Sequence, residues 1–357
     1  YSVVDREKTI PKFFKALFKE IQSCNTNTSK WKINTIFIGG GTPSLFSGES
    51  YKFLIQNIRQ HISFSENIEI TIEANPGAVD SEQFRSYIEA GINRLSIGAQ
   101  SFNNKHLEKL GRIHSKEETI TAINIAKSVG FKDLNVDLMH GLPGQSVESA
   151  IEDLKMAVDN APTHISWYQL TIEPNTYFYS YPPNLPEDII LHTIYERGIE
   201  VLENNGYSQY EVSAFAQKSK NSSHNCNYWN FGDYIGIGAG AHGKLTMPID
   251  NKLVRSKKLK QPNNYMNKVQ SEVTQLNEIL IEERTVEFLM NALRLRRGFS
   301  RHLFEKRTGI EFGEISKTLT TLIENELIQI KNINGESFYS ATRTGYRFLD
   351  TLLGEFL

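Results

Sequence analysis

The stretch Asn34–Ser44, NTIFIGGGTPS, decides the fold. Its apolar run, Ile36, Phe37 and Ile38, passes directly into Gly39, Gly40 and Gly41, then Thr42 and Pro43. This pattern predicts a buried parallel strand that ends in a loop almost bare of side chains. Glycines at such an end let the backbone approach a ligand and offer it N–H groups. A triple glycine alone reads equally well as a tight turn. Its weight comes from the similar strand ends that follow.

Working outward, Pro11–Ser23 reads as an amphipathic helix, with Phe13, Phe14, Leu17, Phe18 and Ile21 on one face. Downstream of the strand Ile33–Gly39, helices are expected near Tyr51–His61, Ser81–Ala90, Lys116–Val129 and Val147–Asn160. They alternate with apolar strands at Ile68–Ala74, Arg94–Gln100, Asp133–Met139 and His164–Thr171. Strand and helix in alternation argue for right-handed βαβ units in a parallel barrel or sheet. Polar or glycine residues gather where these strands end: Gly39–Thr42, Glu73 and Asn75, Gln100, Asp137 and His140, and Glu173. In a parallel β/α barrel that end is where ligand groups converge. A single such carboxylate reads as a helix cap, but five strands each contributing one point to a shared site.

Beyond the barrel, Pro186–Asn205 reads as a helix, Gly206–Ala216 as a strand and Lys218–Ser223 as a loop. His224–Gly243, HNCNYWNFGDYIGIGAGAHG, is dense in aromatics and glycine but lacks the dinucleotide fingerprint, which opens a helix directly after a strand. Lys252–Asn264 reads as a linker or hairpin. Helices follow at Glu278–Arg294, Arg301–Glu305 and Gly313–Asn325. A strand pair, Ile328–Ile330 and Phe338–Ser340, and a last helix from Thr344 complete a winged-helix-like arrangement. The expected domains are a barrel over 1–215, a glycine-rich segment with linker over 216–275, and a mainly helical winged domain over 276–357. The mixed charges there, Arg294, Arg296 and Arg297 against Glu282, Glu283 and Glu287, favour packing over DNA binding.

The 357 residues suffice for one large domain and a smaller one. A net charge of -2 gives no basic field for nucleic acid. No apolar run approaches a membrane span and no signal peptide is visible. Two distant cysteines, Cys24 and Cys226, indicate a reducing compartment, and the expected location is cytoplasmic.

Taken together, TIFIGGGTPSL, EITIEANPG, NRLSIGAQSF, LGRIH, DLMHGLPGQS, SWYQLTIEPNT, HNCNYWNFGDYIGIGAGAHGK and the tail from Glu287 resemble the radical S-adenosylmethionine family. The likeness covers nearly the whole chain. Within the family it is to the HemW-type haem chaperones, relatives of the oxygen-independent coproporphyrinogen III oxidases. The resemblance implies an α/β fold with a partial parallel β/α barrel. It implies S-adenosylmethionine, a [4Fe–4S] cluster in the complete protein, and haem as cofactors or ligands. The CxxxCxxC run that binds such a cluster is absent. The family pattern puts it, with the first strand, upstream of Tyr1, and Cys24 and Cys226 do not fill the gap.

By the same resemblance Gly40, Gly41 and Thr42 line the methionine part of S-adenosylmethionine. Glu73 answers the ammonium, Arg112 forks onto the carboxylate, and Gln100 and Asp137 suit the ribose or the adenine edge. The HNxxYW motif points to haem at His224, with Asn225, Tyr228 and Trp229 around it and His242 as a lesser candidate. The implied function is a haem chaperone that passes haem to acceptor proteins, membrane-associated ones among them, as a monomer or a dimer. The alternatives are a coproporphyrinogen III oxidase, decarboxylating to protoporphyrinogen IX, and a cluster-free inactive fragment. No catalytic residue is singled out.

Overall fold

The computed structural model describes residues 6–28, 31–78, 80–247, 250–268 and 274–357. Up to residue 216 the elements run α1 (Arg6–Thr28), β1 (Lys32–Ile38), α2 (Gly48–His61), β2 (Ser63–Ala74), α3 (Ser81–Glu89), β3 (Arg94–Gln100), α4 (Asn104–Lys109), α5 (Lys116–Val129), β4 (Asp133–His140), α6 (Val147–Asp159), β5 (His164–Gln169), α7 (Tyr177–Ser180), α8 (Asp188–Asn204), β6 (Ser208–Glu211) and β7 (Ala214–Ala216). The seven strands form one sheet in the order β1-β2-β3-β4-β5-β7-β6. Strands β2 to β5 pair in parallel, β7 and β6 join antiparallel, and the sheet curls into a half-barrel.

The register explains how this sheet carries a site. Glu73 pairs with Ser96, Ser96 with Asn135, and Asn135 with His164, one polar row across four strands. Side chains alternate along a strand, so one face also takes Asp137, Ser166 and Tyr168. The other face takes Ile70, Ile72, Leu95, Ile97, Leu134, Val136, Ile165 and Trp167, all buried, with α5 and α6 packed on β3 and β4. Parallel strands commonly read apolar on both faces; here half of each strand is polar. At Gly198 of α8 a Cβ would fall 1.9 Å from the Trp167 ring, so only glycine lets this helix sit against β5.

Several elements differ from the sequence reading. β1 ends the sheet and is half-exposed, Phe37 included, instead of buried, because among the described residues the pairing order gives it a neighbour only in β2. The Gly206–Ala216 strand is a hairpin of β6 and β7, turned at Val212 and Ser213. α1 is longer than the expected helix Pro11–Ser23 and carries Pro11 within it. The side chain of Cys24 lies outside what is described.

The remaining elements are α9 (Ser223–Trp229), β8 (His242–Met247), β9 (Lys252–Lys258), α10 (Pro262–Lys268), β10 (Thr274–Ile279), α11 (Ile281–Ala292), β11 (Phe299–Ser300), α12 (Arg301–Thr308), α13 (Gly313–Glu324), β12 (Ile328–Ile333), β13 (Glu336–Ala341), α14 (Arg343–Arg347) and α15 (Leu349–Gly354). The region read as a linker or hairpin is the centre of a three-stranded antiparallel sheet, β10-β9-β8. Glu278, expected in a helix, belongs to β10. The C-terminal strand pair is joined by β11 in a second small sheet, β11-β13-β12, which with α12 and α13 has the winged-helix order. Its core is aromatic, with Phe231, Phe288, Phe299 and Phe304 buried together.

Contacts divide the chain into two compact units. One holds 34–55 and 66–222, and the other 1–33, 56–65 and 223–357. Within the second, the carboxylate of Glu20 is buried 2.6 Å from Lys258 Nζ. It accepts from the Gly238 N–H at 3.0 Å and the Tyr265 hydroxyl at 2.5 Å. Ion-paired and doubly hydrogen-bonded, this buried charge fixes α1 to the glycine-rich stretch.

Candidate functional site

At the C-terminal ends of β2 to β5 lies a cavity of about 310 Å³. Glu73, Gln100, Arg112 and Asp137 line it, with Gly41, Asn75, Ser96 and Tyr168 beside them. Four side chains assigned from the sequence, spread along the chain from Glu73 to Asp137, are thus brought together. Gly40 and Thr42 are not among the lining residues, but the Gly40 N–H donates to Glu73 Oε2 at 3.0 Å. Gly40 and Gly41 have φ of +79° and +64°, which makes this turn a glycine conformation.

Asp137 and Gln100 are held from behind. Ser96 Oγ donates to Asp137 Oδ2 at 2.9 Å and Asn135 Nδ2 to Oδ1 at 2.8 Å. The Tyr168 hydroxyl donates to Gln100 Oε1 at 2.7 Å. Gln100 sits at a register shift between β3 and β4 with φ of +66°, a strained backbone for a side chain of its size. Just beyond it, buried Asp153 of α6 accepts from Ser101 Oγ and from the Phe102 N–H, both at 2.7 Å, and fixes the turn.

Burial pushes the Asp137 carboxyl above its usual range, opposed by its hydrogen bonds and by the Arg112 charge. Glu73 is likewise raised by burial and by the Asp137 charge, against the Gly40 hydrogen bond. Tyr168 is pushed up to about 12 by burial first and by Asp137 next. The cavity carries two carboxyls and one guanidinium, a formal charge of −1 with both acids ionised. S-adenosylmethionine has an ammonium, a sulfonium and a carboxylate, net +1. Donor set and charge fit it.

The second constellation lies on α9, in the other unit. His224, Asn225, Tyr228 and Trp229 are all half-buried. The His224 and Tyr228 rings, one helical turn apart, meet edge-on at 4.9 Å, and Tyr228 meets Tyr234 at 4.3 Å. The Arg294 guanidinium lies over the Trp229 ring at 4.3 Å, while the Trp229 indole nitrogen is buried with no hydrogen-bond acceptor among the described residues. An imidazole on an aromatic floor is a donor set that fits haem iron and a macrocycle. His242 is exposed at the start of β8, apart from this group in sequence. Cys226 is half-buried on the same helix.

A [4Fe–4S] cube is a different matter. Among the described residues no three His, Cys, Asp or Glu side chains converge as a metal centre. Two cysteines cannot supply the thiolates such a cluster needs, so these residues do not fit that group.

Sequence reasoning missed Tyr168 and Ser96. Tyr168 lies in HISWYQ, where an aromatic run reads as core. The signal was the period-two alternation of IEITIEA, DLNVDLM and HISWYQ, which puts every second residue on the polar face.

Residues 25–157 match the radical SAM superfamily and residues 281–346 the HemN C-terminal domain. The haem chaperone HemW of Haemophilus influenzae is 44% identical, covering 95% of this chain and 86% of that protein. HemW of Escherichia coli is 43% identical over 91% and 84% of the two chains, and HemW of Bacillus subtilis 32% over 99% and 93%. The solved coproporphyrinogen III oxidase HemN of Escherichia coli superposes with a TM-score of 0.79 at 20% identity, covering 99% of this chain and 84% of that one. That likeness is one of fold.

Proposed function

Because the chain belongs to the HemW family of radical SAM proteins, we propose that it is a haem chaperone that takes up haem at α9 and delivers it to acceptor proteins, and that it holds S-adenosylmethionine in the strand-end cavity. The observation that carries the reading is the convergence of Glu73, Gln100, Arg112 and Asp137 on one cavity whose charge complements that ligand. Glu73 receives the ammonium and Arg112 the carboxylate, while Gln100 and Asp137 hold the nucleoside. When bound, S-adenosylmethionine is the family's source of radical chemistry. The residues of this chain bind and orient it. On α9, His224 would hold the haem iron through its imidazole, and Tyr228 and Trp229 would supply aromatic surface for the macrocycle.

Two titrations test this. Haem added to the wild-type chain gives a Soret band shift that His224→Ala abolishes or weakens at least tenfold, about 1.4 kcal/mol. S-adenosylmethionine binding by equilibrium dialysis falls by roughly ten- to hundredfold in Arg112→Met and Asp137→Asn, each loss being that of a charge-assisted hydrogen bond. Both cavity carboxyls are raised in the free protein and a cationic ligand favours their charged forms. Binding therefore releases protons, and affinity falls as pH is lowered through the range where they protonate. Unchanged haem binding in His224→Ala refutes the first half, and a pH-independent affinity the second. Porphyrin formed anaerobically from coproporphyrinogen III would favour the oxidase instead.

A further inference from the structure

Behind the cavity the polar row continues as a chain of hydrogen bonds with a determinable direction. Asn135 Nδ2 donates to Ser96 Oγ and to Asp137 Oδ1, both at 2.8 Å. Asn135 Oδ1 accepts from Ser166 Oγ at 3.1 Å and lies 2.6 Å from His164 Nδ1. A carboxylate only accepts, so the amide turns its NH₂ to Asp137 and its oxygen to His164. The proton of the imidazole then sits on Nδ1, and the bare Nε2 accepts from the Tyr210 hydroxyl at 2.9 Å. Tyr210 accepts in turn from the Ser222 N–H at 3.3 Å. From Ser222 to Asp137 every donor points the same way.

We propose that His164 is a positioning residue of the cavity: through Asn135, and steadied by Tyr210, it keeps the Asp137 carboxylate ionised and turned toward the nucleoside of the ligand. The proposal rests on the cavity being the S-adenosylmethionine site. His164 is 1% exposed and pairs with Asn135 in the β4–β5 register. Around it stand Arg94 of β3, itself paired with Glu69 of β2, Ser166 of its own strand and Tyr210 of β6. Burial, helped by the Arg94 charge, holds the imidazole neutral by pushing its pKa well below the usual value. A neutral ring has one N–H, and spending it on Asn135 is what commits both Asn135 donors to the cavity side. The opposite tautomer would set a lone pair against Asn135 Oδ1, flip the amide and turn its oxygen on Asp137.

Histidine-selective ¹⁵N spectra of the full chain test the direction without any ligand. His164 is expected with Nδ1 protonated and Nε2 bare, and the reverse overturns the proposal. The variants His164→Leu and His164→Asn test the consequence, because an asparagine amide reaches the position of Nδ1 and leucine offers no donor. S-adenosylmethionine affinity is expected to drop roughly tenfold in His164→Leu and to return to within about threefold in His164→Asn. The loss should appear with 5′-deoxyadenosine as the probe and not with methionine, while haem titration of the same preparations stays at the wild-type value. No loss in His164→Leu, equal loss in both variants, or loss of methionine binding overturns it. Should the wild type bind no S-adenosylmethionine, the reading of the cavity fails, and the relay is judged on the ¹³C titration of Asp137. That carboxyl must then titrate at higher pH in His164→Leu than in wild type, and an unchanged titration sinks the relay.

Discussion

At the scale of the residue, the cavity depends on small backbone decisions. A Cβ at Gly39 would come 2.9 Å from Glu73 Oε2 and 2.6 Å from the Phe37 ring. Gly39→Ala is therefore expected to push Glu73 off the Gly40 N–H and to weaken S-adenosylmethionine binding about tenfold, with a melting temperature close to wild type. Gly91 gives the opposite profile. Its φ is +95° and nothing lies within 4 Å of a new Cβ, so Gly91→Ala should cost roughly 1–2 kcal/mol of stability and leave binding alone. Dialysis and thermal melts on the two variants separate a site glycine from a turn glycine; matching profiles would refute the distinction. Glu73, Gln100 and Asp137 were legible in the sequence because they stand at strand ends, and Arg112 because of its motif. Tyr168 was hidden, since an aromatic beside a buried tryptophan reads as core and only the period-two alternation of HISWYQ marks its face.

At the scale of the element, strands and helices were read best where local chemistry fixes both ends. α5 starts at a capping box, Ser115 with Glu118, and stops at left-handed Gly130, so its bounds are those expected. β3, closed by the bulge at Gln100, also keeps its expected range. The small sheet β10-β9-β8 was missed because its strands carry many polar residues, those of β10 largely exposed, and their pairing is a tertiary fact. The apolar face of the half-barrel carries its own pH dependence. His140 of β4 packs its ring 4.4 Å from that of Trp167, and burial lowers its pKa to about 4. The unfolded chain binds a proton there near pH 6.5 that the folded chain refuses, so this contribution to stability is lost as pH falls from about 6.5 to 4. Asp153, raised by burial to about 6, acts in the opposite sense over much of the same range. The expected outcome is thus a difference: stability of wild type minus His140→Gln, from urea unfolding, rises with pH by at most roughly 3 kcal/mol across that window. A flat difference would show the ring free to protonate in place.

At the scale of the whole molecule, the residues assigned to S-adenosylmethionine and those assigned to haem belong to different compact units. Substitutions without shared partners add. Arg112→Met with His224→Ala should lose each ligand to the extent of the corresponding single variant, within about 0.5 kcal/mol, and a larger departure would reveal coupling. The alternation of strand and helix was enough to read the half-barrel. The division into units was not legible, because one of them is assembled from three separate stretches. That assembly sets an order in time. Glu20 waits for Gly238, 218 residues later, and for Tyr265, 245 later. With synthesis at about 5–20 residues per second, α1 leaves the ribosome roughly 10–50 s before its buried carboxylate can meet its partners. Meanwhile residues 66–222 emerge and can fold, so the half-barrel is the older structure on the nascent chain, and α1 is a segment a ribosome-associated chaperone has time to hold.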